Sequence, residues 1–335
     1  MQRPGLTQET VHGNLGLQMF LKASMQYSEN LSLGNIPGNK WYVDAAKSGD
    51  GISWDAAFSD LDEALLAVGH NDAIFIAPGT YTGNYETPDE TVARNVGIFG
   101  VTPGMQGIRG GVNLVPTSGA SPIITNLASG WRYSNLCFRP GATSSAIKLV
   151  ADQNTTAFIA GTAGSISQGV TVDNCMIWGG GTGKYGIEAA GLTDYNGIHY
   201  ANIINNHFMY LNATGAAAIY GAASGNPNIG WRVFGNQFSD NRSHINCAAA
   251  MGWLGSRFEG NTFPFHGVYA QALDMLVNVR ATATPDVTGG NVFVNNFFGV
   301  TTASWATSAL IRTNGYDHGM GNWCADGIVA AEINH

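Results

Sequence analysis

The chain has 335 residues, 44% hydrophobic and only 11% charged, against about 25% charged in an ordinary soluble protein. A net charge of -8, from 15 basic and 23 acidic residues, excludes a nucleic-acid-reading face, which needs clustered Lys and Arg, and no Lys follows Ile187. The 8 Trp, 12 Tyr and 15 Phe exclude general disorder, and no run reaches the roughly 18 apolar residues of a membrane helix, so neither nucleic acid nor membrane is an expected partner.

Residues 1–40 read as an arm. They hold Pro4, Gly5, Gly13, Gly16, Gly34, Pro37 and Gly38, with one short helix around Leu17 to Tyr27. The start lacks an apolar signal core, so Sec export is not expected. Residues 41–70 predict a strand at Trp41-Tyr-Val and then a helix capped by Ser53, with Trp54, Ala57, Phe58, Leu61, Ala64, Leu65 and Val68 as its apolar stripe. Ile74-Phe-Ile and Val96-Gly-Ile-Phe-Gly read as strands that open the body, residues 71–335. A GxGxxG string, Gly181 to Gly186, lacks the helix and acidic residue of a dinucleotide site and reads as a glycine turn. Cys137, Cys175, Cys247 and Cys324 show no CxxC spacing, which predicts buried free thiols. No metal site and no cofactor are expected.

A short element recurs along the body. Its copies are Tyr133-Ser-Asn135-Leu-Cys137, Val172-Asp-Asn174-Cys-Met176, Ile204-Asn-Asn206-His-Phe208, Phe234-Gly-Asn236-Gln-Phe238, Glu259-Gly-Asn261-Thr-Phe263 and Val294-Asn-Asn296-Phe-Phe298. The residue before each shared Asn suits a turn, and the residue two after it is apolar, so each copy reads as a turn plus a short strand. Stacked in register, Asn135, Asn174, Asn206, Asn236, Asn261 and Asn296 would form a ladder spaced about 4.8 Å apart. Phe208, Phe238, Phe263 and Phe298 would form an inward aromatic column. This is a solenoid, in which each coil covers its neighbour.

The string from Trp41 to Phe58, followed by Leu61, Ala64, Leu65 and Asp72-Ala-Ile-Phe-Ile-Ala-Pro-Gly-Thr-Tyr, resembles the opening of right-handed parallel β-helix proteins of the pectate lyase-like superfamily. The resemblance covers roughly residues 41–310. It implies an all-β, single-stranded parallel β-helix with an N-terminal capping helix and an extended arm. Polysaccharide lyase and glycoside hydrolase are the common activities of that superfamily. The chain has no Asp-Asp dipeptide, its Phe265-His-Gly and Asp317-His-Gly lack the first Gly of Gly-His-Gly, and nine carboxylates remain after Ile187.

Four residues before the shared Asn, Arg232 and Arg257 fall at equivalent places on adjacent coils, near Asp240, Arg242 and Glu259. Two stacked guanidiniums need an anion between them, supplied either by Glu259 or by a bound sugar carboxylate, which would make Arg232 and Arg257 glycan-binding. Asp240 and Glu259 are the candidate catalytic pair if the chain hydrolyses glycans, their separation deciding stereochemistry. His199, His207, His244 and His266 read as turn or surface residues, or as the source of a catalytic base near pH 7, and Trp131, Trp231, Trp253, Trp305 and Trp323 as packing residues or sugar-stacking faces.

A Cys-poor, unexported β-helix with an arm and a weakly charged body resembles bacteriophage virion proteins, particularly tailspikes and head decoration proteins. That resemblance implies a homotrimer assembled in the host cytoplasm and attached to other virion proteins such as the major capsid protein. The expected function is non-enzymatic capsid decoration. The alternatives are a tail-associated receptor binder contacting host surface polysaccharide, and a polysaccharide lyase or glycoside hydrolase.

Overall fold

The computed structural model describes residues 38–102, 111–152, 165–191, 197–222, 227–248, 252–264, 275–280, 289–301, 311–313 and 317–328. Nearly all of the predicted arm, including the helix at Leu17 to Tyr27, lies outside them. The body from Gly38 to His335 is one compact unit.

Three sheets form its sides, almost wholly parallel, because every strand pairs with the equivalent strand of the coil before and after it. Sheet 1 has ten strands from Lys40–Val43 to His318–Met320, and sheet 2 has ten from Gly79–Thr82 to Gly327–Ile328. Sheet 3 has nine, its main path running from Tyr85–Glu86 to Ile311–Arg312. The chain visits sheets 1, 2 and 3 in turn, which is a right-handed parallel β-helix.

Each sheet turns one column of side chains inward. Sheet 3 contributes Ile124, Ile147, Ile187, Ile219, Ile245, Val277 and Ile311 in register, all buried. Sheet 2 contributes Phe208, Phe238, Phe263 and Phe298, fully buried, with successive ring centroids 5.0, 4.9 and 5.1 Å apart. Sheet 1 adds a second aromatic pair that the repeat does not reveal, Phe258 on Phe293 at 4.7 Å and 9°.

The asparagine ladder exists, shifted in register at one end. Cys175 N–H donates to Asn206 Oδ1, Asn206 N–H to Asn236 Oδ1, Asn236 N–H to Asn261 Oδ1, and Asn261 N–H to Asn296 Oδ1, all at 2.9 to 3.0 Å. Asn322 extends it. Asn135 and Asn174 are not rungs. They hold φ of 58° and 52° and align with Asn205, Gly235, Gly260 and Asn295, the left-handed bend, so Leu136 and Cys175 occupy the ladder position. Phe138 and Ile177, not Cys137 and Met176, therefore join the inward column. The cause is that Asn serves both purposes, as an L residue tolerant of positive φ and as an amide able to bond along the stack.

Two other corners are tied in the same manner by unlike residues. Trp231 N–H donates to Ser256 Oγ, Ser256 N–H to Asn291 Oδ1 and Asn291 N–H to Asp317 Oδ1. Leu211 N–H donates to Asn241 Oδ1, whose amide reaches Phe208 O.

The capping helix α1 spans Leu61–Ala67, shorter than the sequence implies, with Asp60 rather than Ser53 at its N-cap. Ser53 Oγ instead accepts from Ala56 N–H within a local turn. Residues 54 to 58 cannot be helical because the backbone here pairs sideways: Phe58 N–H donates to Tyr42 O, and Asp44 N–H to Phe58 O. Helix α1 buries Leu61, Ala64 and Leu65 against the end of the solenoid. Buried Asp72 closes this base by accepting from Asn39 N–H, Trp41 Nε1 and Gly69 N–H. At the far end Gly327–Ile328 folds back antiparallel on Trp323–Cys324, covering the sheet 2 edge.

Candidate functional site

Three successive coils bring the predicted arginines onto one outward face of sheet 1. Its strands are Asn202–Ile204, Arg232–Phe234 and Arg257–Glu259, which pair Asn202 with Arg232 and Arg232 with Arg257, and alternate positions along them place Ile204, Phe234 and Glu259 in the next row. Arg257 Nε donates to Glu259 Oε2 at 2.7 Å. That hydrogen bond, with smaller help from the Arg232 charge, holds the Glu259 carboxyl below the usual carboxylate range. Glu259 thus serves as the anion beside the stacked guanidiniums. Arg232 takes a different partner, its guanidinium carbon 5.0 Å from the Phe234 ring centroid.

Asp240 is not brought to Glu259. It sits at φ 50° in the bend after Gln237–Ser239, on the far side of sheet 2, with Oδ1 buried and without a hydrogen-bond partner. Glu259 lies before the bend that leads into sheet 2. The intervening strand covers about 10 Å, and the left-handed bend turns the two carboxylates onto different faces, whereas a hydrolase pair needs both on one bond at roughly 5 to 9.5 Å.

Beside the arginines runs a short fourth sheet, Asn228–Ile229 on Trp253–Leu254, extended by a bridge from His199 to Ile229. Trp253 and Asn228 face in, while His199, Ile229 and Leu254 are more open. The corner between this strip and sheet 1 takes positive φ in eight successive described coils. Asn71, Asn95, Gly130, Gly169, Gly230, Gly255 and Gly290 supply it, and Tyr200 is the exception at φ 59°. Aligning the coils on the strand register marks Tyr200 as the odd residue, and the repeat search, anchored on Asn, does not reach it.

The remaining sequence candidates fall into the scaffold. His244 is fully buried between Phe238 and Phe263, bonded through Nε2 to Pro264 O at 2.9 Å, and burial lowers its pKa to about 4. His207 bonds Ser239 Oγ at 3.0 Å, and burial lowers both it and His199. Trp131, Trp231 and Trp253 are buried, and Trp323 is exposed beside Phe297 on sheet 2. His266 and Trp305 lie outside the described residues. Gly181 sits in a turn at φ 89°, whereas Gly186 lies within the strand Tyr185–Gly191, where a Cβ would stand 2.4 Å from Ala218 O. All four cysteines are free and buried, and burial pushes the Cys175 thiol far up. Among the described residues no group of three His, Cys, Asp or Glu is placed to hold a metal, and no helix is long and apolar enough to cross a membrane.

No family model matches the chain, and no curated protein matches it by sequence. Solved structures do. An alginate lyase from Paenibacillus sp. str. FPU-7 is similar with TM-score 0.51 at 14% identity, over 80% of this chain and 93% of that one. A rhamnogalacturonan lyase is similar with TM-score 0.48 at 12% identity, over 78% and 68%. A Geobacillus virus E2 protein, ORF18, is similar with TM-score 0.35 at 11% identity, over 98% and 68%. The chain has a right-handed parallel β-helix fold, shared with that alginate lyase. At these identities the likeness is one of fold, and the site must speak for function.

Proposed function

We propose that this chain is a non-enzymatic surface protein of a bacteriophage virion, of the capsid decoration type, attached through residues 1–40 to the major capsid protein and assembled as a homotrimer. The observation that carries this reading is how the body uses its polar groups. Asn206, Asn236, Asn261, Asn296 and Asn322 stiffen a rod through their ladder. Glu259 and Asp173 are engaged by Arg257 and Arg132, and Asp240 stands apart from Glu259. A body held by ladders and stacked rings, its four cysteines free, resists unfolding without a disulfide. Four buried free thiols also suit folding and assembly in a reducing host cytoplasm.

Deletion of residues 1–38 tests the attachment. The truncated chain should keep its β-sheet signal and cooperative melting and lose incorporation into particles, and unimpaired incorporation overturns the anchor. Incubating the full chain with anionic bacterial polysaccharides tests the enzyme alternative. No new reducing ends and no unsaturated products are expected, and either product refutes the non-enzymatic reading.

A further inference from the structure

The three flanks of the solenoid differ in charge. The ten strands of sheet 2 contain no Asp, Glu, Lys or Arg. Arg139, just past the strand Cys137–Phe138, is folded flat on this face, its guanidinium carbon 5.0 Å from the Trp178 ring centroid and its Nη2 donating to Asn113 Oδ1 at 3.3 Å. His207 is neutral near pH 7, since burial holds its pKa below the ordinary value. The strands of sheet 1, by contrast, include Arg132, Arg232, Arg257 and Glu259, and those of sheet 3 include Lys148 and Glu188.

The uncharged flank is also where large apolar side chains point out. Phe297 and Trp323, register neighbours on adjacent coils, are 38% and 51% exposed, and half-buried Trp178 pairs with half-buried Met209 higher on the same face. Aromatic and Met side chains without charges among them are the composition of an interface core. Repetition decides what can cover it. When copies of one solenoid stand side by side about an axis parallel to the stack, each coil faces the same coil of its neighbours, so every residue meets its own copies. A flank with Arg232 or Lys148 would set equal charges opposite each other, which destabilises, and an uncharged flank has no such conflict. Sheet 2 meets this condition in all nine of its parallel strands. Their eight spacings give a length of about 38 Å, and two outward positions per strand a width of about 13 Å, so three such faces would remove about 1,500 Å² from water, as stable specific interfaces do.

We propose that the outer face of sheet 2 is the contact between copies of this chain, three parallel solenoids meeting coil on coil around one axis. This rests on the homotrimer reading and adds to it the surface and the orientation of the copies. Sheets 1 and 3 are left facing outward.

The test is sedimentation of the full-length chain and its variants at micromolar concentration, with circular dichroism to confirm the fold of each. Gln237 is exposed on the outward side of sheet 2, so Gln237→Lys should keep the β-sheet signal and raise the trimer dissociation constant at least tenfold. Gln237→Glu should do the same, and co-expressing the two variants should restore trimers, because opposite charges then meet in one coil. Trp323→Ala should weaken association at least tenfold, and Thr171→Glu on sheet 1 should leave it unchanged. Thr80→Cys, at one end of the face, should cross-link to its own copy with a short bismaleimide, the four native thiols being buried. A parent chain that sediments as a monomer overturns the trimer and this contact with it. A trimeric parent whose Gln237→Lys and Gln237→Glu variants associate as tightly as it does keeps the trimer and overturns the sheet 2 contact. Weakened variants that do not recover when co-expressed, or a Thr80→Cys chain that does not cross-link, overturn the parallel coil-on-coil arrangement.

Discussion

Asn261 and Asn135 are the same residue in two copies of one sequence motif, yet the structure gives them different energetic roles. Asn261 Oδ1 accepts from the backbone N–H and the side-chain amide of Asn236, both at 3.0 Å. Its Nδ2 donates to Val233 O at 2.8 Å and Asn296 Oδ1 at 3.0 Å. Asn261→Ala strips these contacts and leaves the Asn236 N–H and part of the Asn236 amide unpaired in a buried corner, while the Val233 carbonyl keeps only its strand-ladder bond. Each orphaned group costs about 1–3 kcal/mol, and a water entering the vacated space recovers part of it, so a loss of about 3–5 kcal/mol is expected. Asn135 supplies only a left-handed bend, so Asn135→Ala should cost about 1 kcal/mol and Asn135→Gly almost nothing. Urea unfolding followed by far-ultraviolet circular dichroism and tryptophan fluorescence measures all three. Equal losses for Asn261→Ala and Asn135→Ala, or less than about 1 kcal/mol for Asn261→Ala, would refute the division into rungs and bends.

Phe263→Ala should cost about 3–5 kcal/mol in the same assay, since Phe263 is fully buried between Phe238 and Phe298. His244 is neutral in the folded chain, with a pKa near 4, below an unfolded value of about 6.5. The unfolded chain therefore binds the proton first, and stability that is full above about pH 6.5 should fall by up to about 3 kcal/mol as pH drops through 4. His244→Gln should flatten that slope in melts run between these limits. The four cysteines should react with a thiol reagent only after denaturation, and reductant should leave the melting temperature unchanged. Sedimentation at micromolar concentration should give three times the 35.3 kDa chain mass, and a monomer counts against the trimer.

The fold was legible because the string from Trp41 to Tyr81 and the spaced Asn-x-Phe copies each report a coil. The register slip at Asn135 and Asn174 was not, since Asn fits two adjacent positions. Anchoring instead on Phe138 and Ile177, the residues that face the core, would have placed both correctly. The corner tie through Ser256, Asn291 and Asp317 escaped notice because three different residue types perform one task. Ser53 misled because its hydroxyl closes a turn as readily as a helix, while the pairing of Phe58 with Tyr42 depends on contacts formed only in the folded chain. Arg232, Arg257 and Glu259 were read as neighbours and are neighbours. Asp240 was near them only along the chain, because a bend and a strand intervene.

The central claim, a rod that decorates a virion, is tested most directly by electron cryomicroscopy of particles from the source of this sequence. The account predicts three-faced β-helical density, in trimers, standing on the icosahedral shell and joined to it by residues 1–40. Density on the tail alone would move the protein to the receptor-binding alternative, and particles without any such density would contradict the account.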